Sequence, residues 1–353
     1  MESIKLLKEL VKIDSSSVLK ANEAIDYCKN YLKENGIDGE IIINNGYKSY
    51  VSTIGEGEKT LILNGHLDVV SAKSSQFNPI EENGKLIGRG TADMKSGCVA
   101  MMQAMIKLKD ENLKSKIMLQ LVSDEETGGV NCTKHLVEQG YLGDFVICTE
   151  PTNLKVSIQS KGIVRMDIVS YGVSAHGSRP WEGKNAILKS IENFNKIKEL
   201  EIMNIGSDFY KGTSVNLAVI NGGDIYNRVP DKCTIGLDIR YVPHLDPKEI
   251  IKSIKDVVQG DVEVSATEPG VYGVPDDSNI KLLSESLIRV FPDSKVEYVA
   301  QHGGSDGRYY AEKGIPVVEF GAIGNYWHGD DEYVEIESVY KLEEVLIDFI
   351  RRY

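Results

Sequence analysis

TLILNGHLDVV, residues 60–70, is the stretch whose reading decides the fold. An apolar run, Thr60–Asn64, feeds straight into a polar turn that carries His66 and Asp68. A core strand ending on metal-capable side chains belongs in an α/β sheet, where ligands gather at strand ends. Upstream, Ile4, Leu7, Leu10 and Val11 recur at helical spacing from Met1 onward, and Ile25, Cys28 and Leu32 repeat the pattern until Gly36 stops it. Strand-like runs follow at Glu40–Ile43 and Ser49–Ile54. Downstream, KSGCVAMMQAMIKLKD (95–110) predicts a helix packing through Val99, Met102, Met105 and Ile106. KIMLQLVS (116–123) predicts a strand ending at DEETGG, Thr133 to Gln139 a helix, and DFVICTE (144–150) another strand. Strand and helix in alternation predict an α/β catalytic domain with a mostly parallel central sheet flanked by helices.

Around Lys161 the rhythm changes. IVRMDIVSYG, AILKSIENFNKIKEL, TSVNLAVING, DKCTIGLDIRYV, DPKEIIKSIKDVVQ and VEVSAT read in turn as strand, helix, strand, strand, helix and strand. That is the order of a ferredoxin-like α+β layer. The chain then resumes a helix (278–290), the strand PVVEFGA and a closing helix from about Glu335. The expected organisation is a catalytic domain of residues 1–161 and 270–353, interrupted by an inserted domain of residues 162–269. Hinges are expected near residues 160 and 269.

At 353 residues the chain exceeds the usual size of one hydrophobic core, in keeping with two domains. The formal net charge of -13, with no lysine and arginine stripe, opposes nucleic acid and anionic membranes as partners. The first residues lack the features of a signal peptide, and no apolar stretch approaches membrane-spanning length. Five cysteines (Cys28, Cys98, Cys132, Cys148, Cys233) lie in or beside apolar runs without a CxxC pair, as expected of reduced thiols in a cytoplasmic protein.

The chemistry-bearing residues cluster at strand ends. His66 can ligate a metal, and Asp68 can hold its other ring nitrogen or otherwise steady the site. Asp93, in GRGTADMKSG, is either a helix cap or a ligand; Gly88, Gly90 and Gly97 permit tight backbone paths beside it. Of the adjacent Glu125 and Glu126, one can ligate while the other takes a proton from water. Glu150 ends an apolar strand and needs a partner. His328 follows an apolar strand and a loop. Nitrogen and oxygen donors without thiolates suit zinc, cobalt or manganese, and a shared aspartate would reconcile so many carboxylates with two ions. His176 is either a turn residue or a donor to a substrate carbonyl oxygen, with Arg179 close by in sequence. Arg240 either grips a substrate carboxylate or pairs with Asp238. His135 and His244 read as packing or surface residues, and His302 precedes a flexible loop.

GHLDVV, GRGTADMKSG, SDEETGG, CTEPT, VSAHGSRPWEGKNAI, NRVP, GGSDGR and WHGDDEYV, in this order and spacing, resemble the M20 metallopeptidase family over essentially the whole chain. That family includes succinyl-diaminopimelate desuccinylases, acetylornithine deacetylases, aminoacylases and glutamate carboxypeptidases. The resemblance implies two divalent ions, zinc before cobalt or manganese: one held by His66, Asp93 and Glu150, the other by Asp93, Glu126 and His328, with a cis Asp93–Met94 peptide. It implies Glu125 as general base, Asp68 in support of His66, and an inserted domain that serves as lid and dimerisation element. His176 would then act across a homodimer. Asn227, Arg240 and the Gly303–Gly304–Ser305 loop match substrate-binding positions. The expected reaction is cleavage of the amide bond of a small N-succinyl or N-acetyl diamino acid. Dipeptidase or carboxypeptidase action at the same centre, and a non-catalytic metal-dependent binding or dimerisation protein, are the alternatives.

Overall fold

The computed structural model describes residues 2–353; Met1 lies outside the described residues. The first amphipathic runs form α1 (Glu2–Lys12) and α2 (Val18–Glu34), which bury Leu7, Leu10, Val11, Ile25, Cys28 and Leu32. There follow β1 (Gly39–Asn44), β2 (Tyr47–Ile54), β3 (Thr60–His66), α3 (Ser96–Leu108), β4 (Lys116–Val122), α4 (Thr133–Glu138), β5 (Phe145–Cys148) and β6 (Val156–Ser160). Next come β7 (Gly162–Tyr171), α5 (Ala186–Lys198), β8 (Ser214–Gly222), β9 (Lys232–Tyr241), α6 (Pro247–Val257) and β10 (Asp261–Glu268). The chain closes through α7 (Ser278–Val290), α8 (Gly307–Ala311), β11 (Val317–Glu319) and α9 (Ile336–Arg352).

Two compact units result. Among the described residues, the larger comprises residues 2–158, 272–299 and 305–353; the smaller comprises residues 159–271 and 300–304. The main sheet runs β1-β2-β4-β3-β5-β11-β6, with the short strand Val271–Tyr272 beyond β6 and Tyr298–Gln301 also paired to β6. Its middle, β4-β3-β5-β11, is parallel, whereas β1, β2 and β6 join antiparallel. Leu61, Ile62 and Leu63 of β3 are all fully buried, as a parallel strand covered on both faces requires. α3 is apolar nearly all round, with Cys98 to Met102 buried, because α1, α9 and β3 all pack on it. The first and last helices touch: Ser3 Oγ donates to the buried Glu343 Oε2 at 2.6 Å.

The smaller unit is a four-stranded antiparallel sheet in the order β8-β9-β7-β10, with α5 and α6. Cys233, Ile235, Leu237 and Ile239 form the buried face of β9, and they pack with Val164, Met166, Ile168, Ile197, Ile250 and Ile254. Each such side chain contributes about 1.5–3 kcal/mol on burial. Asn185 caps α5 by accepting from Ile187 N and Leu188 N, and Asp246 caps α6 ahead of Pro247.

A third sheet has no counterpart in the sequence reading. It pairs Gly324–Asn325, Tyr333–Glu335, Lys85–Ile87 and Ile80–Glu82, all in the larger unit. Its hairpin turns on Asn83 and Gly84, both with positive φ (50° and 75°), the turn that an Asn-Gly pair favours.

Candidate metal centre

β3 ends at His66, which is almost wholly buried, while Asp68 lies beyond the strand. His66 Nδ1 donates to the backbone carbonyl of Asp68 at 2.9 Å, and the Asp68 carboxylate stands 3.6 Å off. The carbonyl thus holds a proton on Nδ1 and leaves Nε2 as the nitrogen that faces Asp93 and can take a metal. The carboxylate of Asp68 is engaged elsewhere, accepting from Glu125 N at 3.2 Å and Glu126 N at 2.9 Å. It pins the single helical turn, residues 125–127, that presents both glutamates. The expected support of His66 is therefore given by Asp68's main chain.

His66 Nε2 lies 3.2 Å from Asp93 Oδ1 and 3.9 Å from Glu150 Oε2. His328 Nε2 lies 3.3 Å from Asp93 Oδ2 and 3.1 Å from Glu126 Oε1. Two groups of donors follow, His66–Asp93–Glu150 and Asp93–Glu126–His328, each with its ligand atoms within 4.8 Å of one another and sharing Asp93. The Asp93–Met94 peptide is cis. Gly90 enters this loop at φ 79°, and any Cβ on Gly97 would run into the carbonyl of Thr149, next to Glu150. Both glycines act as the sequence reading expected. His328 itself sits at φ 60°, an uncommon conformation for a side chain other than glycine or asparagine.

The electrostatics call for cations. Burial, against the opposing pull of His66, pushes the carboxyls of Glu125 and Glu150 well above their ordinary range. Burial likewise moves Asp68 up to about 7. Asp93 goes the other way: burial resists its charge, but hydrogen bonds from His328 and His66 prevail and hold it low. Hydrogen bonds to Asp93 and Glu126 raise His328 to about 10. Asp68, Asp93, Glu125, Glu126 and Glu150 thus crowd together, and among the described residues Arg308 brings a fixed positive charge to them, with Nη1 3.9 Å from Glu125 Oε1. Oxygen and imidazole donors without thiolate, with charge left uncompensated, fit two divalent cations.

Arg308 was not singled out by sequence. It is buried on α8, donates to Ser305 O at 3.0 Å and Gly128 O at 2.8 Å, and so brackets the Glu125 turn. An arginine opening an apolar helical turn is the signal that could have found it. Ser305 Oγ donates to Glu319 Oε1 at 2.6 Å within the larger unit.

His176, Arg179, Asn227, Arg240, Gly303 and Gly304 belong to the smaller unit. There His176 and Asn227 lie on neighbouring extended segments: Gly177 N donates to Asn227 O at 2.7 Å. Exposed His176 accepts Ser178 N at its Nδ1 (3.2 Å), which leaves the ring proton on Nε2. Arg179 is exposed beside Glu182 at 3.5 Å. Arg240 makes a two-pronged pair with Asp238, at 2.6 and 3.1 Å, and Arg165 shares that carboxylate. Of the two readings of Arg240, the ion pair is the one the geometry displays. Of the remaining histidines, His302 rests edge-on against Tyr210.

The site defines the class, and the comparisons agree. Residues 62–352 match the model of peptidase family M20/M25/M40, and the chain belongs to that family. It is a metal-dependent hydrolase acting on C–N bonds. Among curated proteins it is 29% identical to a probable succinyl-diaminopimelate desuccinylase of Staphylococcus aureus (strain N315), over 98% of this chain and 95% of that one. It is 26% identical to a succinyl-diaminopimelate desuccinylase of Wolbachia pipientis wMel, over 100% of this chain and 94% of that one. Among solved structures, aminopeptidase PepT from Bacillus cereus ATCC 10987 shares the fold with a TM-score of 0.85 at 20% identity, covering 99% and 97% of the two chains. Among the described residues, no helix is long and apolar enough to cross a membrane.

Proposed function

We propose that the chain is a deacylase: it hydrolyses the amide bond of a small N-acyl amino acid, with N-succinyl and N-acetyl diamino acids as the substrate class. The observation that carries this reading is the pair of donor groups sharing Asp93, with Glu125 held beside them. The choice of acyl amino acid over peptide is supported by the desuccinylases among the relatives. His66, Asp93 and Glu150 would hold one ion and Asp93, Glu126 and His328 the other, zinc before cobalt or manganese. When bound, the ions supply Lewis acidity, which acidifies a water and draws charge from the amide oxygen.

Glu125 takes a proton from that water as its oxygen bonds to the amide carbon. The carbon–nitrogen bond then breaks, Glu125 passes the proton to the departing amine, and the new carboxylic acid gives its own proton to that amine, leaving a carboxylate and an ammonium. His176, with its proton on Nε2, donates to the developing oxyanion from a second copy of the chain, since the smaller unit serves as dimerisation and lid element. Asn227, Arg179, Arg240 and the Gly303–Gly304–Ser305 loop bind the substrate, and Arg240 must first exchange Asp238 for the substrate carboxylate. Action on a free metabolite by a protein with only buried, unbridged cysteines suits the cytoplasm.

The test is a panel of N-succinyl and N-acetyl diamino acids, dipeptides and tripeptides, assayed with metal-reconstituted protein. Preferential turnover of an acyl amino acid supports the reading; turnover of peptides alone overturns it in favour of a peptidase. Glu125→Gln should bind two ions yet lose at least about 100-fold in kcat. Undiminished kcat would remove Glu125 from its role.

A further inference from the structure

Asp93 and His328 come from distant parts of the chain, and a buried carboxylate that belongs to neither donor group joins their loops. Glu332 is fully buried. Its Oε1 accepts from Ala92 N at 3.0 Å and from Asp93 N at 3.1 Å. Its Oε2 accepts from Arg89 Nη1 at 2.5 Å. The other arm of Arg89 donates to Gly329 O at 3.1 Å, next to His328. Gln76 completes the bracket: its Nε2 donates to Gly329 O and Asp330 O at 3.0 and 3.1 Å, and its backbone carbonyl accepts Arg89 N. The small third sheet sets the register, pairing Tyr333 with Ile87 and passing Gly88 N to Glu332 O.

A buried ion pair is by itself a weak source of stability. Here the pair's remaining bonds reach the backbone of Ala92, Asp93 and Gly329, at or beside two ligands, so the pair fixes geometry. We infer that Arg89 and Glu332 are positioning residues, a clamp that sets the spacing between Asp93 and His328 and thereby the affinity of the Asp93–Glu126–His328 group. The other group depends on it less. His66 is oriented by the Asp68 carbonyl and Glu150 by its place just after β5, neither of which touches the clamp. The inference rests on the metal-centre reading above.

Two backgrounds separate the groups: His66→Ala leaves the His328 group, and His328→Ala leaves the His66 group. Glu332→Gln keeps an oxygen for the two N–H groups but removes the charge that holds Arg89. The double variant Arg89→Met with Glu332→Gln also removes the unpaired buried cation, should the single variant fold poorly. Zinc affinity is measured by calorimetry with chelator competition, cobalt by its visible absorption, and folding by Tm of the metal-free protein. Either variant should weaken zinc binding by about 10-fold or more in the His66→Ala background and by less than about threefold in the His328→Ala background. The cobalt spectrum should change only in the former. Equal losses in both backgrounds, tracking a lower Tm, would reduce the pair to ordinary fold support and overturn the inference, as would unchanged affinity in both. If the unsubstituted protein takes up no divalent ion, the metal-centre reading falls first and the clamp with it.

Discussion

Replacing Asp68 with asparagine separates the roles of its carbonyl and its carboxylate. The side chain is nearly buried, and its two oxygens accept from Glu125 N and Glu126 N at 3.2 and 2.9 Å. Asparagine has the same shape, but its NH2 must face one of those N–H donors. One charge-assisted hydrogen bond is lost, worth about 1.5–3 kcal/mol. The turn carrying Glu125 and Glu126 is what loosens. If the whole loss falls on the reacting geometry, kcat drops roughly 10- to 100-fold. His66 keeps its bond to the Asp68 carbonyl at 2.9 Å, so the His66–Asp93–Glu150 group should hold its ion as before. The assay is kcat at saturating metal, together with zinc affinity of Asp68→Asn in a His328→Ala background. Unchanged kcat with a tenfold weaker His66 group would show that the carboxylate works through His66, and would refute the argument.

Glu319 is buried, and burial outweighs the Ser305 and Ser157 hydroxyls to bring it up to about 7. A carboxyl raised in the folded state binds its proton more tightly there, so its stability contribution is full below the ordinary value near 4.5 and is lost as pH rises through 7. Glu319→Gln in chelator-treated protein should therefore flatten urea-measured stability between pH 5 and 8, by at most about 3 kcal/mol; an unaltered slope would count against it. Ile235→Ala, in the middle of the smaller unit's core, should cost about 2–5 kcal/mol in denaturant unfolding. Because the donors of both metal groups lie in the larger unit, the same variant should still take up two ions under native conditions, as calorimetry would show.

The parts legible in the sequence are those with local signals. β3 announces itself as an apolar run, α1 and α9 carry their apolar stripes, α3 reads as a helix long and apolar enough to be buried, and the six elements of the smaller unit follow in the expected order. His66, Glu125, Glu126 and Glu150 stand at or just beyond the ends of such strands, Asp93 just ahead of α3, and His328 a loop beyond β11, which is why they could be named before their geometry was known. The third sheet was illegible because its strands are two or three residues long, too short for any alternation, and form only through pairing between distant loops. β6 was missed because VSIQS mixes polar side chains into a wholly buried strand; Ser157 is there to serve Glu319. Arg89 and Glu332 hid for a related reason. A charge in a turn full of charges reads as solvated, and only the backbone N–H groups of Ala92 and Asp93 reveal it as interior.

The position of β11 has a consequence for biosynthesis. It fills the slot between β5 and β6, and Val146 N of β5 already reaches Pro316 O at its entrance. Yet β11 leaves the ribosome only after the entire smaller unit has been made. During that interval the nascent chain carries two unsatisfied strand edges in its main sheet. A strand made after the smaller unit therefore closes a gap opened by β5 and β6, and the larger unit is exposed to mispairing until it does.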